Sequence, residues 1–302
     1  MPEVDSDAGP SPSAATVAEM RITLLGTGGP RPDRDRQGPA TLVRAGGVDL
    51  LVDAGRGVAT QLARVGLRPG DLDAVLVTHH HFDHIGGLGD LLMAAWNEGR
   101  TAPLPIVGPP GTVRIVDALL DSVYNRDIAY RIAEEAALGT LLDPPRRFLR
   151  VRDVVADTWT VGGATVTVGE VEHGQAVLDL PADEWTAVGY RIEADGRAVA
   201  IPGDAVDGKD LAMLVADVDV LVMCAYLAPE EVRSPADRFL VEHVLAGSEQ
   251  AAATAAAAGA GRLVLTHLRE KTPDRVGRMV DAADRVFPGE VVAGSDLLTI
   301  EV

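Results

Sequence analysis

Short apolar runs of roughly four to eight residues alternate along this chain with longer stretches of helical spacing. The run RITLLG after Met20 predicts a first strand that ends in the turn Gly26-Thr27-Gly28-Gly29-Pro30. A dinucleotide-binding loop would need a helix directly after those glycines, and Pro30 followed by RPDRDRQGP argues against one. Strands follow at 40–44 and 48–52, joined by Gly46-Gly47. Residues 57–65 place Val58, Leu62 and Val65 on one helical face. The run at 74–78 predicts a buried strand that hands the chain to His79. Residues 86–98 predict a helix with Leu88, Leu91, Leu92 and Ala95 as its inner stripe, and helical spacing recurs at 112–123 and 128–138.

The middle of the chain is strand-like at 151–155, 159–161, 165–170, 188–193 and 198–201, punctuated by Gly162-Gly163 and Asp195-Gly196. From Val218 onward, strand and helix alternate. Strands are expected at 218–222 and 262–266, with an alanine-rich helix at 243–258, a helix at 273–286, and closing strands around Val291 and 297–300. Each half runs strands first and helices later. The fold class expected is therefore α/β, an αββα sandwich of two mixed β-sheets packed face to face and flanked by helices.

Composition narrows the picture. The chain has 302 residues, 47% of them hydrophobic, enough for a substantial core. The first nineteen residues are acidic and rich in Pro, Ser and Ala, and read as a disordered tail (1–19) ahead of one domain (20–302). They lack the basic start and apolar centre of a signal peptide, and no run approaches a bilayer span, so the reading is a cytoplasmic protein with no membrane partner. The lone Cys224 rules out an intrachain disulfide and a cysteine-rich zinc site. Lys and Arg number 27 against 45 Asp and Glu, a formal net charge of −18. Such a surface repels a polyanion on average, so nucleic acid is disfavoured as a partner.

Chemistry concentrates in the histidines. Four of the seven lie in Thr78-His79-His80-His81-Phe82-Asp83-His84, on a loop between a buried strand and a helix, where functional groups of layered folds collect. Imidazole nitrogen and carboxylate oxygen suit zinc, iron or manganese. His173, Asp204 and His267 each follow a predicted strand closely, so strands of one layer can bring them to a common rim.

This pattern resembles the metallo-β-lactamase superfamily, whose Thr-His-x-His-x-Asp-His motif matches Thr78 to His84 and whose later ligands match His173, Asp204 and His267 in order. The resemblance implies two divalent ions, zinc with manganese or iron as alternatives. One would be held by His79, His81 and His173, the other by Asp83, His84 and His267, and Asp204 would bridge them. It also gives Asp83 a catalytic role in orienting water and taking its proton, and gives Asp53 the task of supporting the histidine loop. His80 falls between ligands. The segments 24–30, 108–111 and 263–268 are similar to the ribonuclease Z and arylsulfatase-like branch, in which a further catalytic histidine matches His243. A homodimer is a precedent in that branch.

The function this implies is hydrolysis of a small-molecule ester (sulfate ester, phosphodiester or carboxylic ester). A water bridging two cations would be the nucleophile, and His243 the general acid. The alternatives are a ribonuclease Z-like RNA phosphodiesterase, and a metal-dependent redox or non-catalytic relative. Net charge weighs against the ribonuclease reading, as does the lack of a Gly- and Lys-rich inserted arm. Cys224 also stands about where that branch carries a Glu, and the spacing after His243 in Val244-Leu245-Ala246-Gly247-Ser248 fits the arylsulfatase-like relatives better.

Overall fold

The computed structural model describes residues 20–182, 184–206 and 208–302. The tail expected at 1–19 lies outside the described residues. The first sheet is built from β1 (Arg21–Gly26), β2 (Ala40–Ala45), β3 (Val48–Val52), β4 (Ala74–Leu76), β5 (Leu104–Gly108) and β6 (Leu149–Asp153). The second is built from β7 (Asp157–Val161), β8 (Ala164–Val171), β9 (Ala187–Ala194), β10 (Arg197–Ile201), β11 (Val220–Cys224), β12 (Arg262–Thr266) and β13 (Glu290–Ala293). The last strand, β14 (Thr299–Glu301), returns to pair with β1. Each sheet has seven strands, ordered β14-β1-β2-β3-β4-β5-β6 and β13-β12-β11-β10-β9-β8-β7. Both are mixed: the pairs from β14 to β3 are antiparallel and those from β3 to β6 parallel, and the pairs from β7 to β10 are antiparallel and those from β10 to β13 parallel. This is the expected αββα sandwich.

The strands are apolar on both faces because each sheet is covered twice. Side chains alternate along a strand. In β3, Leu50 and Val52 therefore join the core between the sheets, with Tyr190, Ile192, Val199 and Val222, while Leu51 turns to the outer helices. The outer face of the first sheet is covered by α1 (Val58–Arg64), α3 (Leu88–Asn97) and α4 (Thr112–Ala118), ahead of the largely exposed α5 (Asn125–Ala137); the short α2 (Phe82–Ile85) carries part of the histidine motif. The second sheet is covered by α7 (Leu211–Val215), α9 (Ser248–Ala258) and α10 (Pro273–Asp284). Between them run α6 (Gln175–Leu178) and α8 (Pro235–His243).

Several elements differ from the sequence reading, among them the helices α6, α7 and α8, which it does not contain. Strand β5 is not apparent from the pattern because Pro105 argues against a strand flanked on both sides. The Leu104 N–H bonds the Phe148 carbonyl (2.8 Å) and the Val107 carbonyl accepts from Val77 (2.7 Å). Alternation therefore aims the Pro105 nitrogen toward β4, whose pairing begins only at Ile106, so no bond is lost. The helix expected at 243–258 is two. Ser234 caps α8 in a reciprocal box with Asp237, and His243 is its last residue. Gly247, extended at φ −86°, ψ 172°, then starts α9, with its N–H held by Gln250 Oε1 at 2.8 Å.

A buried side-chain hydroxyl bridges the two sheets. The buried Tyr190 hydroxyl of β9 donates a shared hydrogen bond toward the carbonyls of Val77 and Val107, 2.9 and 3.1 Å away, at the end of β4 and in β5. Tyr190→Phe leaves the aromatic packing in place and removes this bond. It is expected to cost about 1 kcal/mol, seen as a lower urea midpoint with unchanged slope.

Candidate metal centre

The strand ends converge on one rim. His79 and His81 lie on the loop after β4, Asp83 and His84 in the first turn of α2, His173 after β8, Asp204 after β10 and His267 directly after β12. In a mixed sheet the carboxyl ends of the parallel strands are where side chains can face a common cleft, and β4, β10 and β12 are such strands.

The ring nitrogens point at one another. His81 Nδ1 is 3.1 Å from both His79 Nε2 and His173 Nε2. Asp204 Oδ2 stands 3.1 Å from His267 Nε2, 3.4 Å from His84 Nε2 and 3.9 Å from His79 Nε2. Asp83 Oδ2 is 3.2 Å from His267 Nε2 and 3.9 Å from His84 Nε2. Two adjoining groups result, His79, His81, His173 and Asp204 on one side and Asp83, His84 and His267 on the other. All except the more open His81 are buried.

The partners of the outer nitrogens assign the tautomers. Asp53 accepts from the Thr78 N–H (2.8 Å) and, through both oxygens, from the Thr78 hydroxyl (3.0 and 2.8 Å). With its proton spent on Asp53, the Thr78 hydroxyl accepts from His79 Nδ1 at 3.0 Å. His84 Nδ1 donates to Asp53 Oδ2 at 2.7 Å, and His173 Nδ1 donates to the Val244 carbonyl at 2.6 Å. Each contact turns an Nε2 inward, the arrangement that orients imidazole ligands.

The electrostatics divide the site. Burial pulls His79 well below the usual imidazole range, lowers His173, and takes His81 down to about 4, so these rings are neutral bases. Burial also opposes charge on His84, but Asp204 and Asp53 outweigh it and hold the ring well above its ordinary value. His267 is likewise opposed by burial and pushed up to about 10, chiefly by Asp204. Burial works against the carboxylate of Asp204, yet His267 and His84 keep it well below the usual range. A cation in place of the two protons would serve the same carboxylates.

The donor set fits metal ions. Hard oxygen and borderline imidazole nitrogen are zinc, iron or manganese ligands. Among the described residues His84 Nε2, Asp204 Oδ1 and His267 Nδ1 are buried with no hydrogen-bond partner, and such orphaned groups call for an explanation.

The other sequence candidates fall around this cluster. His80 turns away, with its Nε2 2.8 Å from the Thr112 hydroxyl. His243 sits at the end of α8, its side chain 40% exposed, 4.0 Å from the Glu242 carboxylate and packed edge-on to Phe239. It is adjacent to Val244, whose carbonyl supports His173. Cys224 is fully buried beside Asp204 and His267, and burial pushes its thiol up to about 11, so it offers no carboxylate for a relay to His243. Trp185 ends the segment 176–185, which the sequence reading expects to frame the cleft, and its ring lies 4.5 Å from that of His81. Sequence pattern alone does not reveal Tyr226, 5.7 Å from His267, a single aromatic in an irregular segment with no periodicity to mark it.

Comparison with known proteins agrees with the fold. Residues 49–268 match a family model described as a beta-lactamase superfamily domain. A ribonuclease Z of Mycobacterium bovis is 40% identical over 291 residues, covering 94% of this chain and 98% of that protein. One from Mycobacterium marinum is 39% identical over 294 residues, covering 94% and 99%. A metallo-beta-lactamase fold protein from Bacillus subtilis superposes with a TM-score of 0.70 at 22% identity, over 94% of this chain and 99% of that one. The short form of human tRNase Z gives 0.66 at 23%, over 93% and 99%.

These relatives overturn the expectation that nucleic acid is a disfavoured partner. At 40% identity over nearly the whole chain, the relatives are named for ribonuclease action. Net charge sums the whole surface, whereas a cation-binding cleft sets its own local potential. No described helix is long and apolar enough to cross a membrane.

The frame around the centre makes its own prediction. Asp53 and His84 are a buried, hydrogen-bonded pair, and removing one member of such a pair costs about 3–5 kcal/mol. Asp53→Ala is expected to show that loss in denaturant unfolding of the metal-free protein. A wild-type midpoint would mean that the pair carries no such weight.

Proposed function

Because this chain belongs to the beta-lactamase superfamily, with ribonuclease Z proteins among its relatives, we propose that it is an RNA phosphodiesterase working with two divalent metal ions. That it is a metal-dependent hydrolase of ester bonds follows from the family. RNA as substrate is supported by the relatives' names and takes precedence over the small-ester reading. The observation that carries the two-metal reading is Asp204, whose carboxylate stands between the two groups of ligand atoms.

In this reading His79, His81 and His173 hold one ion, Asp83, His84 and His267 hold the other, and Asp204 serves both. Zinc is the first choice, with manganese and iron served by the same donors. Bound divalent ions supply positive charge for the scissile phosphate and make water a competent nucleophile near neutral pH.

The chain's own residues do the rest. Asp53, Thr78 and the Val244 carbonyl fix the rings before substrate arrives, so no reorganisation is needed during reaction. The Trp185 ring packs against His81. Asp83, with Oδ2 facing His267, is placed to orient the attacking water and take its proton. His243 lies one residue from the Val244 contact and is assigned to protonate the leaving oxygen. Among the described residues, Glu242 is its carboxylate neighbour.

The test is cleavage of a precursor tRNA by protein reconstituted with zinc or manganese, with elemental analysis alongside. About two ions per chain and chelator-sensitive cleavage are expected, and Asp204→Ala should lose both metal and rate. Wild-type metal content in Asp204→Ala would remove it from the ligand set, and intact RNA after reconstitution would reject the RNA reading.

His243→Ala is expected to keep its metal and lose roughly 10²- to 10⁴-fold in rate with a poor leaving group. The loss should be much smaller with nitrophenolate, which departs without protonation. Equal losses on both substrates would reject acid catalysis.

A further inference from the structure

The ligand cluster opens to solvent at His81. The other six candidate ligands are buried, whereas His81 is exposed, so a substrate reaches the cluster past that ring. Beside it stands Trp185. The Trp185 ring lies 4.5 Å from His81 at an angle of 43°, 5.9 Å from His79 and 6.1 Å from His173. Trp185 is itself half-buried, so part of it stays open next to the exposed ligand.

The backbone fixes the ring in this place. The Trp185 N–H donates to the Pro181 carbonyl (2.9 Å) and the Thr186 hydroxyl to the Ala182 carbonyl (2.7 Å), which closes the turn ahead of β9. In β9 the Val188 N–H donates to the Thr78 carbonyl (2.9 Å), one residue before His79. The segment is tied at its other end too, where the His173 N–H donates to Gln175 Oε1 (2.7 Å) and Gln175 Nε2 to the Val171 carbonyl (2.6 Å). A group held so before its ligand arrives loses little freedom on binding. Residues 174–186 contain no Lys or Arg. This segment therefore offers a nucleotide a ring for its base and no cation for its phosphate. The other two tryptophans are engaged elsewhere: Trp96 is buried with Nε1 donating to the Asp143 carbonyl (2.8 Å), and the Arg152 guanidinium lies 4.2 Å over the Trp159 ring.

We propose that Trp185 is a specificity-determining residue, the platform on which a nucleobase next to the scissile phosphate stacks while the phosphate lies at the ligand cluster. The proposal rests on the phosphodiesterase reading and deepens it. Every base has a π-face, so stacking on an aromatic ring tolerates any sequence. It separates nucleotide esters from esters that carry no base, and it needs no positive charge from a chain whose net charge is −18.

Two readouts on the zinc-reconstituted protein test the platform. Adenosine monophosphate should quench tryptophan fluorescence and ribose phosphate should not, and Trp185→Leu should abolish the quenching although Trp96 and Trp159 remain. In kinetics, the wild type should favour a nucleoside nitrophenyl phosphate over methyl nitrophenyl phosphate by roughly 5- to 150-fold in kcat/KM, the range of one stacked base. Trp185→Leu should bring that ratio toward one and Trp185→Phe should keep most of it, both with wild-type metal content. A wild-type ratio near one, quenching or a ratio that survives Trp185→Leu, or a ratio lost only together with metal would overturn the platform. A wild type that shows the base preference but leaves precursor tRNA intact would reject the RNA reading while the platform stands. Cleavage of the tRNA without any base preference would do the reverse.

Discussion

Three buried carboxylates, Asp53, Asp83 and Asp204, share one cluster of imidazoles, and their need for positive charge is the constraint on which the rest of the site depends. A buried carboxylate without a counter-charge is costly. Asp204 and its neighbouring carboxylates raise His84 and His267 against the cost of burial, whereas burial lowers His79, His81 and His173. The division is chemically useful. One side presents neutral rings ready to accept a cation, and the other holds protons that a cation would displace.

The fold exists around this cluster as a clamp. Asp53 and His267 both sit at positive φ, 61° and 55°, a conformation that side chains other than glycine rarely adopt. Tight packing offsets that strain. Gly203, at φ 69°, brings the chain before Asp204 so close to Thr78 that a Cβ would fall 2.9 Å away. Asp296, from the C-terminal loop, accepts from the Thr27 N–H and hydroxyl, the Gln37 N–H and the Gln61 amide, so the β1 turn is held from the far end of the chain. Strands from both sheets deliver the ligands, and Tyr190 crosses the interface to hold β4 and β5 in register with β9.

Much of this was legible in the sequence because it is local. The Thr78–His84 motif, the strand before it and the single histidines after later strands all reside in short windows, where period and residue type suffice. What escaped is nonlocal. Strand β5 escaped because the harmlessness of Pro105 depends on where β4 stops pairing. The break between α8 and α9 escaped because a run rich in alanine reads as one helix until Gly247 is seen to be extended. The Val244 carbonyl that holds His173 and the Asp296 carboxylate that holds Gln61 and Thr27 lie 71, 235 and 269 positions from those partners, with no spacing rule to announce them.

The failed inference from net charge shows how far a sum differs from a field. A formal charge of −18 counts every carboxylate equally, yet at physiological salt a charge is felt over only about 8 Å when solvent lies between. Exposed acids such as Asp117 and Asp121 are bound to Arg146, and Glu290 to Arg262. The acids at the centre are buried and balanced by imidazolium, and would be balanced by metal in its place. A polyanion approaching the cleft therefore meets the local charge of the centre, because exposed acids farther away than the screening length contribute little there.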